Sequence, residues 1–202
     1  MTNKLRNFII FGLTILTAFA IFVMSPTKAY ACACCGYAGE WYQRTENLDS
    51  SQVETLNQLK FSPSANLYLT AAGFDIIKGI SSNSETYTLS HSKNKRSWNF
   101  RLVDGSGKTG NLSLTLPEKM IAFGTDFYDQ PTPNSRLYKE LRMEGKVAGN
   151  GIFAAGMGSD SRFRLILQGR GNYCLNRTDF KHWNLQILGS GSSFSFYGFF
   201  EQ

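Results

Sequence analysis

Arg162-Phe163-Arg164-Leu165-Ile166-Leu167-Gln168 is followed by Trp183-Asn184-Leu185-Gln186-Ile187 and then by Phe194-Ser195-Phe196-Tyr197. In each segment the large apolar residues recur at every second position, with polar side chains between them. Successive side chains of a strand point to opposite faces, so this period of two describes strands with one buried and one wetter face. Glycine clusters separate the segments, and short strands at near-regular spacing with glycine-rich turns predict an antiparallel sandwich or a closed barrel.

The same reading extends toward the N-terminus. Trp98, Phe100 and Leu102 alternate with polar residues, as do Leu112, Leu114 and Leu116, and Asp104-Gly105-Ser106-Gly107 lies between them. That pattern predicts a hairpin over Trp98–Leu116. Tyr87 and Leu89 mark a further strand, and so do Leu67, Leu69 and Ala71. Ile152-Phe153-Ala154 and the start of the body at Gly39–Tyr42 are also expected to be strands. Leu137–Val147 suits a strand better than a helix because Gly145 and Gly149 weaken helix. Glu118–Asn134 reads as a connecting loop ending in Pro131-Thr132-Pro133-Asn134. Only one helix is expected: Ser50-Ser51 offers a cap with Glu54 following, and Val53, Leu56 and Leu59 share one helical face. The expected fold is therefore all-β, a single antiparallel β-barrel or β-sandwich domain of about nine or ten strands with one short N-terminal helix.

Ahead of this body, Lys4 and Arg6 precede an apolar run from Phe8 to Met24, and Ala29-Tyr30-Ala31 follows. A basic head, an apolar middle and a small-residue exit are the marks of a secretory signal peptide. Residues 1–31 are thus expected to be removed and residues 32–202 to form the mature domain, secreted or periplasmic. The membrane enters only in two minority readings, an uncleaved anchor or a lipidated Cys32. The formal charge of +6 falls to +3 without Lys4, Arg6 and Lys28. The remaining bases are scattered rather than clustered, so nucleic acid is not an expected partner.

The four cysteines are Cys32, Cys34, Cys35 and Cys174. In an oxidising compartment they are disulfide candidates, and the expected bridge joins Cys174 to one of the three N-terminal cysteines, because a bridge between neighbours is strained. The alternative is a soft-metal site made by Cys32, Cys34 and Cys35, with His182 as a further ligand. Cys174, Asp179 and His182 also have the side-chain types of a nucleophile, an orienting acid and a base. Asp126 and Asp129 form a carboxylate pair, but in a loop that gives neither a reason for a raised pKa. Gly105-Ser106-Gly107-Lys108-Thr109 imitates the end of a phosphate-binding loop, yet Leu102 stands where the first glycine belongs and a strand follows where a helix is needed. His91 lies among Ser92, Lys93 and Asn94 and reads as part of a solvated turn. No cofactor is implied.

Two tracts, Gly39-Glu40-Trp41-Tyr42 and Thr125-Asp126-Phe127, resemble the glycine-x-tryptophan first-strand motif and the threonine-aspartate-tyrosine loop motif of the lipocalin family. Phe127 stands in place of the tyrosine. The resemblance implies a barrel enclosing an apolar ligand. Aromatic residues make up 14% of the chain, and barrel mouths are frequent ligand sites. The sequence as a whole reads as an exported, non-enzymatic binding protein whose expected partner is a small apolar ligand or an envelope protein. The alternatives are an envelope protein-interaction module, with its exposed aromatic strand meeting a protein or a glycan, and a thiol- or metal-binding protein using the Cys32–Cys35 cluster.

Overall fold

A computed structural model describes residues 41–71, 73–74, 77–125, 137–172 and 174–201. The chain runs β1 (Trp41–Asn47), α1 (Ser50–Asn57), β2 (Ser64–Leu67), β3 (Thr86–Lys93), β4 (Ser97–Val103), β5 (Thr109–Thr115), β6 (Lys119–Thr125), β7 (Leu137–Gly151), β8 (Arg162–Gly171), β9 (Phe180–Leu188) and β10 (Ser193–Phe199). Short 3-10 turns precede β8 and β9, at Ala154–Gly156 and Arg177–Asp179.

All ten strands join one sheet in the order β1-β6-β7-β5-β4-β3-β2-β10-β9-β8, and β7 also pairs with β8. That last pairing closes an eight-stranded antiparallel barrel with β1 and β6 as additional strands. Taken round the ring, β2, β3, β4, β5, β7, β8, β9 and β10 follow chain order, which is an up-and-down barrel. The sequence left barrel and sandwich open; the closing pair decides for the barrel.

The fifteen-residue β7 carries both parts. Its C-terminal end pairs with β5, from Val147 opposite Leu114 to Gly151 opposite Gly110. Its N-terminal end pairs with β6, from Tyr138 opposite Thr125 to Arg142 opposite Ile121. β5 and β6 therefore behave as one long strand broken at Leu116-Pro117-Glu118, where proline has no N–H to give the ladder. β4 flanks the first half and β1 the second.

The β6 segment corrects the expected loop over Glu118–Asn134. Met120 and Ala122 are buried and Ile121 and Phe123 are half-buried, so apolar residues occupy both faces and the two-residue alternation disappears. Asp126, Asp129 and the proline tract lie outside the described residues. Strand Ser64–Leu67 is earlier and shorter than expected from Leu67, Leu69 and Ala71. Ile152-Phe153-Ala154 is not a strand: Gly151, at a φ of 62°, turns the backbone there, and a 3-10 turn follows. The helix is present, but its cap is Asp49 rather than Ser50 or Ser51. The Asp49 carboxylate accepts from the Ser51 and Gln52 amides, and the Gln52 side chain accepts from the Asp49 amide, a complete capping box.

The barrel's inward side chains meet one another. Phe61, in the tract after α1, lies edge-on or tilted against Trp98, Phe100, Trp183 and Phe200 with ring centroids 4.9–5.8 Å apart. Leu56 and Leu59 bury beside it. Phe153 stacks on Phe194 at 5.6 Å and meets Phe196 edge-on at 6.0 Å. Gly198 provides the room for Trp183, since a Cβ there would come within 2.6 Å of the indole.

Phe61 joins rings from β4, β9 and the residue after β10, so truncating it opens a void that no single neighbour can fill. Phe61→Ala is expected to lower stability by about 3–5 kcal/mol, read as a shift of the urea midpoint with an unchanged slope; a loss below about 1 kcal/mol would show that this end of the core repacks freely.

Candidate functional site

The outer face of the barrel is built by register. From β10 to β1, directly opposed residues run Phe199, His182, Gln168, Glu140, Phe123, Gln43. A neighbouring row runs Asn66, Tyr197, Asn184, Ile166, Arg142, Ile121, Thr45. One end of this surface is aromatic and the other polar.

At the aromatic end, Tyr68, Tyr197 and Phe199 are 58%, 42% and 54% exposed. Tyr68 and Tyr197 meet edge-on at 6.5 Å, and the exposed His182 ring lies 5.0 Å from Phe199. The three rings and His182 surround a shallow cleft of about 470 Å³ that Gln168, Asn184 and Glu85 also line. Among the described residues, the buried carboxamide oxygen of Asn184 accepts no hydrogen bond. Water is the ordinary competitor for such rings, and exposing several large apolar side chains side by side has a hydration cost that isolated ones do not concentrate.

At the polar end, the buried Glu140 accepts from Tyr138 Oη, Arg142 Nε and Gln168 Nε2, and Gln168 Nε2 also donates to Tyr138 Oη at 2.9 Å. Burial, with the Glu140 carboxylate next, pushes the Tyr138 hydroxyl up to about 12. The phenol is therefore a fixed neutral donor. Arg142 and two further donors converge on the Glu140 carboxylate, and Gln168 joins this network to the aromatic cleft.

On the inner face, Lys139 is 3% exposed and aims its ammonium at the segment before β9. Nζ donates to the carbonyls of Asn172 and Cys174 at 2.8 and 2.5 Å and to Asp179 Oδ2 at 3.0 Å, over the Phe180 ring. Burial lowers the Lys139 pKa while Asp179 opposes that shift. An ammonium has three protons, and all three have acceptors here. Lys139 is thus a clamp on the Asn172–Asp179 segment.

That clamp also settles what becomes of the suspected nucleophile, acid and base. The Cys174 carbonyl accepts from Lys139, the Asp179 carboxylate is bonded to the same ammonium, and His182 lies on the outer face against Phe199. The acid and the base are thus engaged by different neighbours, Asp179 by Lys139 and His182 by Phe199. Cys32, Cys34 and Cys35 lie outside the described residues, so the expected metal set is represented here by His182 alone. Among the described residues, no three or more His, Cys, Asp or Glu side chains gather around one point. The lipocalin-like Trp41 sits on β1, outside the ring, and is 68% exposed.

The phosphate-loop imitation is a β4–β5 turn. Asp104 closes it, its carboxylate accepting from the Ser82 and Ser106 hydroxyls at 2.7 Å and from the Ser106 and Lys108 amides at 2.8 and 2.9 Å. Those donors hold its carboxyl down at about 2. His91 corrects the solvated-turn expectation: it belongs to β3, is half-buried and packs on Phe61 at 5.1 Å. The desolvation of this end also lowers Lys93 to about 8, with its ammonium 5.1 Å from the Trp98 ring centre and bonded to the Leu59 carbonyl. Sequence reasoning missed Lys93 and Lys139 because a lysine inside a strand pattern looks solvated; their strand parity, in phase with Leu89 and Leu141, was the available signal.

Compared with protein-family models, curated proteins and solved structures, the chain matches none.

A folded pKa below the unfolded one, near 3.9 for aspartate, adds stability that is complete above pH 4 and lost as pH falls toward 2. Asp104→Asn should therefore flatten the decline of the urea midpoint between about pH 4 and pH 2 relative to the parent protein. Parallel declines would show that Asp104 contributes no native-state proton linkage.

Proposed function

We propose that this protein is an exported, non-enzymatic recognition domain that binds a glycan chain on the outer face of its barrel. The observation carrying this reading is the placement of its exposed rings. Inward aromatics pack on one another, whereas Tyr68, Tyr197 and Phe199 line a single outer cleft with carboxamides beside them. Sugar rings present apolar C–H faces and a rim of hydroxyls. Exposed aromatic rings match the faces, and the carboxamide side chains of Gln168 and Asn184 supply polar groups in the same cleft lining. A strongly charged ligand would call for a cluster of opposite charge, whereas the lining of this cleft holds one carboxylate residue, Glu85, one histidine, His182, and no lysine or arginine. The small apolar ligand expected inside the barrel is less favoured because Phe61, Phe153 and Phe196 occupy the interior.

Export supports the same reading. Its sequence signature is the Lys4–Ala31 segment, and its chemical counterpart is the disulfide we propose for Cys174 in a chain of four cysteines. In this reading the mature chain starts at Cys32, and Cys174 is tied to Cys32, Cys34 or Cys35, so the Lys139 clamp and the bridge hold one segment from two sides. The non-reduced, alkylated mature protein is expected to show a mass beginning at Cys32 and, after digestion, a peptide crosslinked between Cys174 and the 32–35 tract. A mass beginning at Met1 or a freely alkylated Cys174 would overturn this part.

The glycan reading is tested by retention of the purified protein on insoluble cellulose, chitin and peptidoglycan. Retention on at least one is expected, with roughly a tenfold or greater loss of affinity in Tyr68→Ser/Phe199→Ser, two exposed ring contacts being removed. Absence of retention on all three, or retention that the double substitution leaves unchanged, would sink it.

A further inference from the structure

The break between β5 and β6 leaves a cleft, and α1 forms its wall. At the start of the helix the Leu48 amide donates to the Glu118 carbonyl at 2.7 Å, and near its end the buried Trp98 indole donates to Asn57 Oδ1 at 2.9 Å. Both ends of the wall are thereby fixed. The β3–β4 turn adjoins the same break, since the Leu116 amide donates to the Arg96 carbonyl at 2.9 Å and Asn94 Oδ1 accepts from the Arg96 and Ser97 amides. The cleft has a volume of about 750 Å³, inside the range of about 300–1,000 Å³ found for small-molecule sites.

Its floor is apolar and its rim is charged. Val53 is buried, and Leu48, Leu116 and Pro117 are half-buried. Glu54 comes from α1, Glu118 from the break, and Lys95 and Arg96 from the turn; all four are exposed and line the cleft. Two acids and two bases thus share one space, yet among the described residues no hydrogen bond or ion pair engages any of their side chains. An indole nitrogen can only donate, so Asn57 turns Oδ1 to Trp98 and keeps Nδ2 as a donor for another partner.

We infer that this cleft binds a short extended peptide with free ends, its ammonium held by Glu118 and Glu54, its carboxylate by Lys95 and Arg96, and an apolar side chain on the Leu48–Val53–Leu116 floor. Charge of both signs selects this ligand. An anion alone would meet two carboxylates and a cation alone two bases, while an uncharged apolar molecule would desolvate charged groups without pairing them. Length agrees with charge. Glu118 lies by the start of α1 and the basic turn by its end, and an eight-residue helix is about 12 Å long. An extended chain advances about 3.3–3.6 Å per residue, so about three or four residues reach from one group to the other. The cleft shares no lining residue with the aromatic one, and the inference does not rest on the glycan reading.

Titration of the purified protein with alanyl-leucyl-alanine, followed by backbone amide chemical shifts, tests this. Saturable binding is expected with a dissociation constant of about 1 mM or below, and with shifts at Val53, Asn57, Arg96 and Glu118. The same peptide acetylated at its amine, or amidated at its carboxyl, is expected to bind the parent protein about tenfold more weakly, a comparison that requires no variant to fold. Glu118→Gln should weaken the free peptide by a similar factor and leave the acetylated one unaffected; Lys95→Gln/Arg96→Gln should do the same with respect to the amidated one. Absence of saturable shifts up to about 10 mM overturns the inference. So does binding that either cap leaves unchanged, or that persists at full strength in both variants.

Discussion

The pairing of β7 with β8 is the contact on which the rest depends. Ten register pairs, from Leu137 opposite Gly171 to Lys146 opposite Arg162, turn an open sheet into a ring. Without them β7 and β8 would both expose edges, and the inward faces of both strands would lose their cover. With them, the apolar faces of eight strands converge on one volume. That volume is narrow, since eight strands leave an interior that side chains can fill. The rings of Trp98, Trp183 and Phe196 fill it from three different strands and that of Phe61 from the tract after α1, and glycines such as Gly198 stand where a ring needs the space of a side chain.

The length of β7 has a second consequence. A strand of fifteen residues outruns its barrel neighbour β5, and the surplus needs a partner because unpaired backbone groups are costly when removed from water. β6 supplies it after the break at Pro117, and β1 in turn pairs with β6. The extension is therefore a product of one strand being longer than the wall it belongs to. It moves the end of the sheet outward, from the barrel to β1, which among the described strands pairs with β6.

Much of this architecture can be read from residue order. The alternation over Trp98–Leu102, Leu112–Leu114, Phe163–Leu167 and Trp183–Ile187 is clean because those strands have one inward and one outward face. β6 was illegible for the opposite reason, since Met120 and Ala122 bury on one side while Ile121 and Phe123 shelter on the other. Phe153 follows the same logic: an aromatic that plugs a barrel end looks, in sequence, like one that lines its wall. Closure itself has no local signature, because β8 and β7 meet through registers that no short window contains. At the candidate site, the outward aromatics Tyr197 and Phe199 alternate with inward Phe196 and Gly198 in the sequence, but their meeting with Tyr68 requires the β10–β2 pairing.

The chemistry of the surface follows from the filled interior. A barrel with an empty lumen can spend aromatic rings on a ligand inside, where desolvation is already complete. Here the interior rings contact each other, and any recognition by stacking falls to rings that remain in water. Such rings bring less preorganised desolvation, so they need rigid placement to be effective. Their strand positions provide it: Tyr197 has ladder partners on both sides of β10, Phe199 pairs with His182 while its carbonyl accepts from the Ser62 amide at 2.9 Å, and the Trp183 indole donates to the same carbonyl at 3.2 Å. The inward packing thus acts on the outward face, because the same backbone that seats Trp183 in the core holds Phe199 toward solvent. A loosened core would first be felt as a wandering cleft, before the ring of strands opened.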